Sequence, residues 1–177
     1  MKEHFVNKTD TPSAEKDLWQ TPKELFDKLN DEFDFQLDCC ANAKNTFHRN
    51  YFSEGFSFLD NESNHFGEIK AAFINPPYSK TESFLGRTAR QAVEHNITFV
   101  AVVNANTDTK WFSDAVKSAN EVRLLTGRVG FIKPDGKKAS DNTKGQCLII
   151  WRGNCKTPCQ ITMIDRNELL SKGNTNE

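Results

Sequence analysis

The chain has 177 residues, enough for one domain of ordinary size and too few for a second full one. With 37% hydrophobic and 27% charged residues it is polar, yet 14 Phe and 3 Trp supply more large apolar anchors than a disordered chain carries. A net charge of -1 excludes a globally basic nucleic-acid binder, and the longest apolar run, Phe99 to Val103, is far too short to cross a bilayer.

Met1 to Lys16 is polar and aperiodic, without the apolar stretch of a secretory leader, and reads as a flexible tail. Thr21-Pro22-Lys23-Glu24 is a helix start: Thr21 is placed to cap, Pro22 suits the first turn, and Glu24 completes a capping box. Leu25, Phe26, Leu29 and Phe33 form one apolar stripe, which predicts a helix from Pro22 to about Phe33. Phe35 to Ala41 reads as a short strand. Residues 42 to 70 give no regular element. Ala71 to Asn75 is a buried-type strand stopped by Pro76 and Pro77. Glu82 to His95 has helical spacing, and Ile97 to Asn104 is an apolar, β-branched strand. Asp108 is placed to cap a helix through Trp111, Phe112, Ala115 and Val116. Glu121 to Phe131, Gly145 to Trp151 and Gln160 to Ile164 read as three further strands. Gly173 to Glu177 is a second tail, which leaves residues 17 to 172 as the domain. The alternation of strands and helices predicts an α/β fold with a mostly parallel sheet and an antiparallel C-terminal edge.

In such sheets ligands sit beyond the carboxyl ends of the strands. Asp38, Asn75 and Asn104 each end a predicted strand there. Asn75-Pro76-Pro77-Tyr78 is the most informative segment. Two prolines fix φ and remove two backbone donors, so nearby carbonyls face a cleft without competing N–H groups. The Asn75 side-chain oxygen and the Pro76 carbonyl are two acceptors suited to the two hydrogens of an exocyclic amino group. Accepting both turns the nitrogen lone pair toward an electrophile. Tyr78 adds a flat face for a planar ring. The residues alone therefore point to transfer of a small group onto a planar amine or amide nitrogen.

This tetrad resembles the motif of amino-group methyltransferases that use S-adenosylmethionine. Trp19-Gln20-Thr21-Pro22, Leu37-Asp38-Cys39-Cys40-Ala41 with Asn42 and Asn45, the tetrad with Ser79, Trp111-Phe112 and Gly127 to Phe131 together resemble the phage-type DNA adenine methyltransferase (Dam) family, over about residues 17 to 152. The resemblance implies a single-domain Rossmann-like fold and S-adenosylmethionine as cofactor. It also implies methylation of adenine N6 in double-stranded DNA, with the base flipped out of the duplex. Asn75, Pro76, Pro77 and Tyr78 would be the catalytic set. Trp19, Thr21, Pro22, Asp38, Ala41, Asp60 and Asn75 would line the cofactor site. Ser79, Lys80, Arg128, Lys137 and Lys138 would face DNA. GATC is a candidate target. A monomer without metal or membrane association is expected, in the cytoplasm of a bacterial host and encoded by a phage or prophage. Two departures stand out. The glycine-rich loop usual after the first strand of S-adenosylmethionine-dependent methyltransferases is absent, in which the phage-type family is similar, and Asn75 occupies a position where Asp is common in adenine enzymes.

Other readings of the same residues stay open. A protein glutamine amide and an RNA adenine carry the same planar amino group. A catalytically inactive DNA-binding module would need only the basic loops. Residues 1–89 hold 10 Lys and Arg against 15 Asp and Glu, and residues 90–177 hold 13 against 9, so an anionic partner fits the second half. Asp38 also fits a turn, Trp19 an apolar staple, and the lysines around Pro134 to Gly136 a solvated hairpin tip. The five cysteines, an odd number without matching His or Cys pairs, suit free thiols rather than a zinc site.

Overall fold

The structure, a computed structural model, describes residues 12–60, 66–139 and 144–171. The predicted tails lie largely outside them, although Ser13–Lys16 forms a single helical turn, α1. Helix α2 (Lys23–Phe33) buries Leu25, Phe26 and Leu29, as the stripe requires. Its fourth apolar member, Phe33, is half-buried, with the Arg123 and Arg152 guanidinium groups each 5.6 Å from its ring. The expected cap is not made. Pro22 itself is the extended N-cap residue, and α2 has no side-chain capping bond.

Six strands follow: β1 (Leu37–Asp38), β2 (Ala71–Ile74), β3 (Thr98–Asn104), β4 (Glu121–Thr126), β5 (Gln146–Arg152) and β6 (Gln160–Asp165). They form one sheet in the order β1-β2-β3-β5-β4-β6. The β1–β2, β2–β3 and β4–β6 pairs are parallel, and β5 is antiparallel to both β3 and β4. The sheet is therefore mostly parallel, but its reversed strand lies inside it and not at the C-terminal edge. Burial explains the placement. Gln146 to Trp151 of β5 are all buried, so this strand needs neighbours on both sides. Residues 160–163 of β6 are all exposed, which suits an edge.

Helices α3 (Thr81–His95) and α4 (Lys110–Ser118) cover one face, and α2 with α5 (Arg166–Ser171) covers the other. Both α2 and α3 end in a left-handed residue, Asp34 at φ 51° and Asn96 at φ 55°. Short polar side chains tolerate that conformation, and it turns the chain back toward the sheet. The cap of α4 is Thr109, whose hydroxyl accepts from the Phe112 amide, and not Asp108. Strand β4 stops five residues earlier than predicted because Gly127 turns the chain at φ +75°. No described helix is long and apolar enough to cross a membrane.

Candidate functional site

The strand register assembles the site. Asp38 of β1 pairs with Phe73 of β2, and Cys39 N donates to the Phe73 carbonyl. Asn75 lies two residues beyond Phe73, so both polar residues emerge at the carboxyl ends of adjacent parallel strands. Alternation also puts them on one face. Leu37 and Ile74 join the core beneath α3 and α4, whereas Phe73 joins the core beneath α2.

Asp38 is only 3% exposed. Its carboxylate accepts from the Cys40 amide at 3.1 Å and the Phe47 amide at 3.4 Å. Phe47 is held in place by stacking on Phe26 at 4.2 Å. The turn role is thus real, and two backbone bonds do not offset the burial. Desolvation pushes the Asp38 carboxyl up from 3.8 to about 6. No cation among the described residues pairs with it.

Residues Asp17 to Gln20 form a strap across the Asn-Pro-Pro-Tyr turn. Asn75 Nδ2 donates to the Trp19 carbonyl at 3.2 Å, so the amide oxygen is the end left for another partner. The Pro76 carbonyl accepts no hydrogen bond among the described residues. The Trp19 ring meets Tyr78 edge to face with centroids 6.4 Å apart. Burial first, and the Asp17 carboxylate second, push the Tyr78 phenol up to about 12, so it stays neutral. Ser79 donates its backbone N–H and its hydroxyl to Asp17, at 2.9 and 2.6 Å. Gln20 and Ile132 exchange two backbone bonds of 2.9 Å, which ties the strap to the 131–139 hairpin. The Lys133 ammonium lies 5.7 Å from the Trp19 ring.

Two buried groups of the segment that holds Asn75 lack partners among the described residues: the Trp19 indole N–H and the Thr21 hydroxyl. Unpaired buried polar groups are costly and uncommon in folded proteins. By type, two donors and a carboxylate without a cation partner among the described residues are the groups that a zwitterionic amino-acid end would need.

The remaining predicted residues divide. Pro22 is buried at the head of α2, and the Ala41 amide is used on the Phe52 carbonyl. Asp60 is exposed in a turn, with its amide on the Ser57 carbonyl, and shares no hydrogen bond with another candidate. Lys80 and Arg128 are exposed. Lys137 pairs with Asp135 at 3.5 Å, and Lys138 pairs with Glu24 of α2 at 2.9 Å. Phe112 is core, and Trp111 packs on it with centroids 5.8 Å apart.

Sequence reading missed Asp17, whose partner is 62 positions away, and Gln146. The Gln146 side chain is 1% exposed, accepts from the Val129 amide at 2.9 Å and reaches Asn104 at 3.4 Å. It fastens the Gly127 to Val129 bend to the strand ends. A polar residue opening an otherwise apolar strand was the available signal.

Fold and site define an α/β domain with a polar, proline-stiffened turn at the carboxyl edge of its parallel strands. The family model described as DNA N-6-adenine-methyltransferase (Dam) matches residues 8–176. The chain is 33% identical over 176 residues to the DNA N-6-adenine-methyltransferase of Haemophilus phage HP1 (strain HP1c1), covering 96% of this chain and 98% of that one. It is 30% identical over 161 residues to the DNA N-6-adenine-methyltransferase of Escherichia phage T1, covering 81% and 66% respectively. The chain belongs to the Dam family of DNA N-6-adenine-methyltransferases.

Proposed function

We propose that the protein is a DNA adenine-N6 methyltransferase that uses S-adenosylmethionine, built on a Rossmann-like domain. The observation that carries this reading is the state of the tetrad. Its one side-chain amide turns its NH₂ end to the Trp19 carbonyl, so its oxygen and the adjacent Pro76 carbonyl stand ready for an amino group.

The Asn75 oxygen and the Pro76 carbonyl accept the two amino hydrogens of adenine. That orients the nitrogen lone pair along the line of attack and lowers the entropic cost of transfer. Tyr78, neutral throughout, stacks on a base flipped from the duplex. The cofactor, when bound, supplies an electrophilic methyl group on a sulfonium sulfur. Asp38, Trp19 and Thr21 would hold its amino-acid end, with Pro22 and Ala41 lining the pocket and Asp60 on the adenosine side. The accepting nitrogen would gain its N–C bond as the methyl group's bond to sulfur breaks, leaving a neutral thioether, and would then release one proton to solvent, so no charged base is required. Ser79, Lys80, Arg128, Lys137 and Lys138 belong to the DNA-facing surface. The relatives' names favour phage or prophage origin and action in a bacterial cytoplasm. We expect a monomer.

Transfer of tritiated methyl groups from S-adenosylmethionine to plasmid lacking adenine methylation tests this, followed by sequencing that maps modified adenines. The expected result is label on adenine N6 at one short recurring sequence, with GATC the first candidate. Label confined to RNA or to protein glutamine would overturn the DNA assignment. An absence of both transfer and cofactor binding would leave a DNA-binding module.

A further inference from the structure

We propose that Asp17 is a positioning residue for methyl transfer. Its carboxylate locks the turn after the tetrad, so that the Asn75 amide and the Tyr78 ring keep one mutual orientation. The inference rests on the function proposed above and adds a residue that the family resemblance did not supply.

The tetrad cannot anchor itself. Pro76 and Pro77 have no N–H to donate. The 3₁₀ turn Tyr78–Lys80 that follows has Pro77 at its N-cap and no side-chain cap, and α3 begins at Thr81 with none either. Helix starts leave backbone donors unsatisfied, and a carboxylate is the favoured partner there. Here it arrives from a distant part of the chain. Asp17 takes the Ser79 amide on one oxygen and the Ser79 hydroxyl on the other, at 2.9 and 2.6 Å. Two residues on, the Trp19 carbonyl takes Asn75 Nδ2. A three-residue stretch therefore grips both ends of the tetrad, one end by a backbone acceptor and the other by a bidentate carboxylate. The Trp19 ring against Tyr78 closes the space between. With Asp17 cut back, the Tyr78 end pivots on the prolines while the Asn75 end stays held. The two groups that must meet one base then lose their alignment. Both donors of Ser79 are already used on Asp17, so its contribution to DNA contact is made through this clamp.

Methyl transfer is measured for the wild type, Asp17→Ala, Asp17→Asn, Ser79→Ala and the Asp17→Ala/Ser79→Ala double variant, as single turnovers at saturating cofactor and DNA and as steady-state rates over a range of DNA concentrations. Cofactor affinity is read by calorimetry and stability by urea denaturation. Misplacement of about 1 Å costs up to ~100-fold in rate, so Asp17→Ala and Ser79→Ala should each lose about 10- to 100-fold. KM for DNA and the cofactor Kd should stay within about twofold, and the double variant should be no slower than the slower single. Asp17→Asn can accept from the Ser79 amide and donate to its hydroxyl oxygen, so it should recover most of the rate. A wild-type rate in Asp17→Ala or in Ser79→Ala, multiplicative losses in the double variant, or no recovery in Asp17→Asn would overturn the proposal. So would a loss appearing only in KM or cofactor Kd. If Asp17→Ala does not fold, Ser79→Ala and Asp17→Asn carry the same test. A wild-type protein that transfers no methyl group would instead refute the underlying enzymatic reading.

Discussion

Burial holds the Asp38 carboxyl at about 6 in the folded protein, against 3.8 for a free side chain. The folded state thus binds this proton more tightly than the unfolded state. Stability must fall as pH rises from about 4 to about 6 and then level off. A displacement of this size is worth ~3 kcal/mol. Asp38→Asn removes that slope and keeps the oxygen that meets the Cys40 amide. At pH 7.5 it should be more stable than wild type by ~1–3 kcal/mol in urea denaturation, with the gap closing toward pH 4. Cofactor binding should move the opposite way. An ammonium partner favours the ionised carboxylate, so wild-type affinity should rise as pH passes 6. Asp38→Asn should lose at least tenfold in affinity along with that pH dependence, both read by calorimetry. Equal affinity would return Asp38 to a turn residue alone. Asn75→Ala tests the other half of the site. It should slow methyl transfer by ~10³-fold or more, with cofactor affinity and urea midpoint largely unchanged. Equal rates would remove the amino-group mechanism.

At the scale of elements, helices α2, α3 and α4 and strands β2 to β6 were legible because their apolar periods are strong. Their ends were less so. Thr21 and Asp108 looked like caps, but an extended Pro22 and the next residue, Thr109, took the cap positions. The strand predicted over Phe35 to Ala41 shrinks to Leu37–Asp38 because Asp38 bends the chain onto its own carboxylate. Helix α5 is short and mostly exposed, with Leu169 its one buried residue, and gave no periodic signal. One junction depends on a missing side chain. A Cβ on Gly153, just past β5, would sit 2.4 Å from Asn96 Cα and 2.6 Å from the Ala92 carbonyl oxygen. Gly153→Ala must push the C-terminal end of α3 off the sheet. The expected loss is about 1–3 kcal/mol, as in other overpacked sites, read from the urea midpoint. An unchanged midpoint would show that α3 yields without strain.

For the whole molecule, the sequence carries an acidic first half and a basic second half, and the fold brings them together. Lys138 of the second half meets Glu24 of the first. Arg123 is held by Glu32 at 2.6 Å and Glu121 at 2.5 Å. Some of the basic charge that looked available for DNA is therefore used internally. This sharpens the test of the 131–139 hairpin. If Lys137 and Lys138 leave their carboxylates for phosphates, replacing both by Ala should weaken DNA binding. It should also lower the slope of log affinity against log salt by about 2. An unchanged slope would mean that both lysines serve Asp135 and Glu24 even in the complex. The tetrad was readable because prolines and an apolar strand announce it locally. The strap, Gln146 and the lysine pairings were not, because each joins residues that only the completed sheet makes neighbours.

Strand β5 has a temporal corollary. It follows β3 and β4 in the chain, yet it must slide between them. Until it does, β3 and β4 have no common partner, and the Val129 amide lacks its bond to Gln146. A chain cut before β5 would carry every group of the tetrad without the strand that joins β3 to β4.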